Sequence, residues 1–142
     1  MMTDPKRLLW LMVAVAALGG CDREAGSADA VDGRWYTAAQ VAQGRELFHR
    51  HCASCHGTQA EGTAQWRTPD SAGNYPPPPL NGSAHAWHHS LEALERTIAV
   101  GGAPFGGVMP GFAGTLSEAE RLATIAYFQS HWPSEIYDRW RR

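Results

Sequence analysis

A chain of 142 residues with 44% hydrophobic content has room for one small domain plus processing segments, and a second core would not fit. A formal net charge of −2 gives no electrostatic case for nucleic acid, where a basic patch is the first requirement, so no nucleic-acid partner is expected. Lys6 is the only lysine, so a surface downstream of the leader takes its positive charge from arginine alone.

Residues 1–20 read as an export signal. Lys6 and Arg7 form the charged start, and Leu8 to Leu18 form an apolar run too short to span a bilayer. Leu18-Gly19-Gly20-Cys21 resembles a bacterial lipobox, which implies that Cys21 becomes the lipidated first residue of the mature chain. The alternative is an ordinary leader followed by an isolated exported thiol, which would be a reactive liability. The expected location is the periplasmic side, anchored to the membrane by lipid. Residues 21–35 are expected to form a tether, because Asp22 to Arg34 is rich in Ala, Gly, Asp and Ser and holds almost no large apolar side chain. Residues 36–142 form the expected domain with a short C-terminal extension.

Thr37 with Gln40 makes a capping box, and Val41, Gly44, Leu47, Phe48 and His51 follow at helical spacing, so a helix begins here with one apolar face. It leads into Cys52-Ala53-Ser54-Cys55-His56, two cysteines two residues apart followed at once by histidine. That is the attachment pattern of a c-type haem. Each thiol can add to one vinyl group, and His56 falls where it can serve as proximal iron ligand. A thioredoxin-like dithiol would need a βαβ context, and a zinc knuckle would need a second ligand pair.

Residues 57–83 are turn and extended chain, with Gly57, Gly62, Gly73, Asn81-Gly82 and the run Tyr75-Pro76-Pro77-Pro78-Pro79-Leu80. Such a proline run can serve as a docking ligand, but here it suits a rigid loop wrapped on the cofactor. Ser90 caps a second helix with Leu91, Leu94 and Ile98 on one side, ended by Gly101-Gly102. Ser117 and Glu120 form a capping box for a third helix, which Pro133 stops, and Ile136, Tyr137 and Trp140 suit a further turn or two packed on the body. Between the second and third helices, Gly106-Gly107-Val108-Met109-Pro110-Gly111-Phe112 presents the one methionine left after Met1, Met2 and Met12 depart with the signal. A lone methionine is more often core filler. A thioether in a glycine-flanked loop beside a haem site is nevertheless the natural sixth ligand, with His85, His88 and His89 as its rivals.

The CASCH motif, the proline-leucine-glycine loop, VMPGF and the last helix resemble class I cytochrome c over about residues 37–133. The resemblance implies an all-α cytochrome c fold of three to four helices and loops around one covalently attached haem c with its iron. It implies that the first and last helices cross, with Gly44 and Phe48 meeting Tyr127. Pro78 would accept the hydrogen bond of the proximal imidazole, in a register the four prolines leave open by one residue, with Leu80 beside it. Trp87 suits the edge of the core. The expected function is electron transfer with His56 and Met109 as axial ligands and no side chain acting as acid or base, hence not an enzyme. Expected partners are redox proteins of a respiratory or dehydrogenase chain. A small haem enzyme or gas sensor with a labile sixth ligand is the alternative.

Overall fold

A computed structural model describes residues 30–142. The expected signal over 1–20 and the lipidated Cys21 lie outside the described residues. Five α-helices follow in order: α1 Ala38–His51, α2 Ala53–His56, α3 Leu91–Val100, α4 Glu118–Ser130 and α5 Ser134–Trp140. Short 3₁₀ turns occur at Ala86–His88 and Ala103–Phe105. Among the described residues there is no strand, only one bridge between Ala30 and Thr37. This is the all-α architecture expected: α1, α3 and α4 are the three helices read from sequence, α5 is the further turn or two after Pro133, and the single turn α2 at the cysteines is additional.

Both capping boxes form. The Thr37 hydroxyl accepts from Gln40 N at 3.1 Å while Gln40 Oε1 accepts from Thr37 N at 2.9 Å. Ser117 and Glu120 do the same for α4. These bonds satisfy donors that a helix start otherwise leaves unpaired, which fixes where α1 and α4 begin. Ser90 caps α3 by accepting from Ala93 N.

The core is built where α1 crosses α4. Gly44, Leu47 and Phe48 of α1 are buried, as are Ala123 to Gln129 of α4. A Cβ at Gly44 would lie 1.8 Å from the Ala123 carbonyl oxygen, so only glycine lets the two backbones approach this closely. The family likeness implied that Gly44 meets Tyr127. Instead, Gly44 meets Ala123 one turn earlier on the same face of α4, and Tyr127 meets Phe48 with ring centroids 5.1 Å apart. Full burial of a side chain such as Phe48 or Ile125 contributes about 1.5–3 kcal/mol, so this crossing carries much of the domain's stability. An ion pair from Arg121 to Glu95 at 2.6 Å ties α4 to α3, and the Arg121 guanidinium also donates to the Leu116 carbonyl.

The end of the expected tether is held. Val31 N donates to Tyr36 O and Arg34 N to Val31 O, closing a turn. Trp35 N donates to the Tyr137 hydroxyl at 2.9 Å, and Trp35 Nε1 donates to Gln129 at 2.6 Å. From Ala30 onward, therefore, the chain is part of the folded body. The composition of 22–34 hid this because the residues that hold it, Trp35 and Tyr36, lie just beyond. The tail packs back as expected: Tyr137 is buried, Trp140 meets Trp132 edge-on, and Arg139, Arg141 and Arg142 stay exposed.

Candidate haem site

The C-terminal end of α1 delivers Cys52, whose N–H still donates to Phe48 O. The chain then makes the single turn α2, with Cys55 N and His56 N both donating to Cys52 O. This short turn is what the sequence spacing could not show. It holds two free thiols and the imidazole within one helical repeat, with Cys52 buried and Cys55 exposed. Burial, and secondarily the neighbouring Cys55, pushes the Cys52 thiol up to about 11. It is therefore a neutral S–H packed in the apolar core.

His56 is 8% exposed. Its Nδ1 lies 3.0 Å from the Pro78 carbonyl oxygen, which can only accept, so Nδ1 carries the proton and Nε2 keeps its lone pair. Among the described residues no hydrogen bond engages Nε2. Burial lowers the imidazole's pKa, opposed by the bond to Pro78, so the ring is neutral at physiological pH. A neutral imidazole with one nitrogen tied and the other free is what a metal-binding histidine needs.

The Pro78 carbonyl is itself fixed, and sequence reasoning missed the residue that fixes it. Gly62, at φ +61°, packs against the Pro78-Pro79 peptide so closely that a Cβ would lie 2.7 Å from Pro78 O and 2.3 Å from Pro79 N. Gly62 N also donates to His56 O at 2.7 Å. One glycine thus links both ends of the imidazole's tether. Around it, Thr63 N bonds Pro77 O, and Leu80 N and Asn81 N bond Ala60 O. Trp132 Nε1 donates to Leu80 O at 2.7 Å, holding Leu80 against the core. Of the four prolines, it is Pro78 whose carbonyl meets the His56 imidazole.

Met109 is half-buried and packs against the same core cluster as Cys52, Leu80, Leu94 and Ile98. Its carbonyl accepts from Gly102 N at 2.9 Å, and Phe112 N donates to Ile98 O, so the loop returns along the end of α3. His85, His88 and His89 are exposed instead. His85 stacks on Trp66 at 5.0 Å, and His88 stacks on the half-buried Trp87 at 3.7 Å. The residues present thus fit a covalently held haem: two free thiols, one buried imidazole with a free nitrogen, and a thioether against the same apolar cluster.

Residues 39–128, more than half of the chain, match the family described as cytochrome c oxidase, cbb3-type, subunit III. The chain belongs to that family. It is a monohaem c-type cytochrome domain, and its cofactor is covalently bound haem c with iron. Such domains carry electrons, and they are typically exported. No solved structure matches the chain. No described helix is long and apolar enough to cross a membrane.

Proposed function

We propose that this cytochrome is a lipid-anchored electron carrier in which Cys52 and Cys55 hold the haem and His56 and Met109 are its axial ligands. The observation that carries the reading is the buried, neutral His56 with Nδ1 committed to Pro78 O. When bound, the haem supplies a one-electron couple at its iron. The chain's own residues do the rest. The Pro78 carbonyl orients the imidazole and raises its donor strength, while Leu80, Leu94 and Ile98 keep water from the cofactor's environment. Met109 offers a soft thioether, which favours the reduced state. Its partial burial against the core supports it over the three exposed histidines.

In this reading residues 1–20 are removed as a signal, and the residues between a lipidated Cys21 and Ala30 link the anchor to the folded body on the periplasmic side of a membrane. Its partners are redox proteins of a respiratory or dehydrogenase chain, and the family's name points to a terminal oxidase among them.

Met109→Ala in the holoprotein tests the ligand set. The sulfur-to-iron near-infrared band should vanish, and the potential should fall by about 100 mV or more, since each tenfold loss of relative affinity for the reduced state is about 59 mV in a one-electron couple. Carbon monoxide should bind the variant readily and the parent slowly. An unchanged spectrum would move His85, His88 and His89 to the front. A parent that already binds carbon monoxide rapidly would replace the carrier by a sensor or enzyme.

A further inference from the structure

Where the N-terminal segment joins the body, a surface cavity lies between the turn before α1, the start of α3, and α5. Its floor is Trp35, Leu91, Tyr137 and Trp140, with Arg34 and Arg141 among its lining and no acidic side chain. The Arg34 guanidinium lies over the Tyr137 ring at 3.9 Å. Its Nη1 is buried without a hydrogen-bond partner among the described residues. Arg141 makes only a long bond of 3.3 Å to Gly33 O. The two indole N–H groups point away, Trp35 to Gln129 and Trp140 to His89 O, so the rings offer the cavity their apolar surfaces alone.

Two guanidinium groups lining one cavity, with no acidic side chain in that lining, call for an anion. The aromatic and leucine surfaces beside it call for an anion that carries apolar matter. A phospholipid headgroup joins both in one molecule, and tryptophan, tyrosine and arginine are the side chains that suit the membrane–water boundary. Position agrees. In the reading proposed above, Cys21 sits in the bilayer and residues 22–29 link it to Ala30, where the folded body begins, a reach of at most about 30 Å when fully extended. The cavity lies at the point where that link meets the body. The bilayer is therefore presented to it at high effective concentration.

We infer that the cavity of Arg34, Arg141, Trp35 and Trp140 binds the phosphate of an anionic phospholipid, docking this face of the domain on the membrane. The inference rests on the anchored reading for its setting, not for its chemistry. Docking would fix which side of the domain faces outward, so the tether would limit distance while the cavity sets orientation.

Arginine modification of the mature holoprotein by phenylglyoxal, read by mass spectrometry, tests it. The probes are dihexanoylphosphatidylglycerol below its micelle-forming concentration, phosphatidylglycerol vesicles, phosphatidylcholine vesicles and inorganic phosphate. At about ten times the binding midpoint, short-chain phosphatidylglycerol should lower modification of Arg34 and Arg141 about tenfold, leaving the exposed Arg45 and Arg96 unchanged. Phosphatidylglycerol vesicles should do the same and phosphatidylcholine vesicles should not. Arg34→Gln with Arg141→Gln should abolish binding of the short-chain lipid measured by calorimetry. Equal protection by inorganic phosphate would overturn the lipid assignment. Protection spread evenly over all exposed arginines, or none, would overturn the site. Failure of the lipidated holoprotein to float with phosphatidylcholine vesicles in a density gradient would sink the anchor instead, while arginine protection by the short-chain lipid still reports on the cavity by itself.

Discussion

The segments that carry His56 and Met109, proposed above as the proximal and distal ligands, are held by different means. On the proximal side, residues 56–63 and 77–81 are stitched together by Gly62 N to His56 O, Thr63 N to Pro77 O, and Leu80 N and Asn81 N to Ala60 O. Ala60 is fully buried, and its φ of +59° makes it the only described non-glycine residue with positive φ. On the distal side, residues 101–112 rely on Gly102 N to Met109 O, Gly107 N to Gly102 O, and the contact of Phe112 with the end of α3. There Phe105 and Val108 stand 66% and 68% exposed. From Thr97 to Ser117 the sequence holds no ionisable side chain. The imidazole is thus delivered by a rigid frame and the thioether by a loop with an open, uncharged outer surface. If His56 and Met109 are the axial ligands proposed above, a carrier gains from such asymmetry: one ligand is held fast, whereas the other side can come close to a partner.

The largest effect should come from removing the covalent link on the rigid side. Cys52→Ser with Cys55→Ser leaves no thioether, and a domain of this size buries much of its apolar surface against the porphyrin. Haem should extract fully into acid acetone, and the protein should lose cooperative thermal unfolding. A cooperatively melting apoprotein would show that the frame around Ala60 and Pro78 folds without its cofactor, which would make the proximal side even more self-sufficient than its bonds suggest.

Next in size is Gly62→Ala. A Cβ there meets backbone atoms of Pro78 and Pro79 that no rotamer change can move aside, and alanine disfavours φ +61° in addition. Stability should fall by about 1–3 kcal/mol in denaturant titration. Because the displaced carbonyl is the one bonded to His56, the potential should shift as well. A stability loss with an unchanged potential would mean that the Pro78 bond orients nothing the iron senses.

These two sides were not equally legible in sequence. Cys52, Cys55 and His56 announce themselves by spacing, and the capping residues Thr37, Ser90 and Ser117 mark helix starts, because both signals are local. Pro78 needed a family likeness, and only the folded chain shows that its carbonyl, among four prolines, meets His56. Gly62 could be read only as a turn glycine, since what it approaches, the Pro78-Pro79 peptide, begins sixteen residues later. The Gly44 contact was one turn off for a related reason: Ala123 and Tyr127 share a face of α4, and a sequence shows the face before it shows the depth of the crossing. Trp35 bonding Gln129 joins residues from opposite ends of the domain, and no local pattern predicts it.

A smaller effect should follow pH through His131, which sits behind the proximal frame. Its ring meets Tyr127 edge-on at 4.9 Å, and its Nε2 is buried without a partner among the described residues. Burial lowers its pKa below the ordinary value of 6.5, with nearby Glu61 opposing. Below 6.5 the unfolded chain takes up the proton before the folded one, so stability falls as pH drops from about 6.5 toward the folded value and levels off beneath it. His131→Gln should reduce the loss of melting temperature between about pH 7.5 and about pH 5. His85, also lowered by burial first and by His89, His88 and Arg67 next, remains in both proteins, so the difference between them isolates His131. Identical pH slopes would mean that His131 is solvated in the folded state.

The smallest effect on stability should come from the open side. Phe105 and Val108 project outward from a loop whose course is set by backbone bonds, so truncating them removes little buried area. Phe105→Ala and Val108→Ala should each change stability by no more than about 0.5 kcal/mol, the range of exposed substitutions. Each should leave the sulfur-to-iron band in place, because the Gly102 bond that positions Met109 is backbone to backbone. This near-silence is a demanding expectation. If Phe105→Ala cost as much as Gly62→Ala, the phenyl ring would have to turn inward onto the bound haem, closing the loop over the cofactor. The distal side would then be as much a part of the core as the proximal side, and the contrast between a rigid donor and an open one would fail.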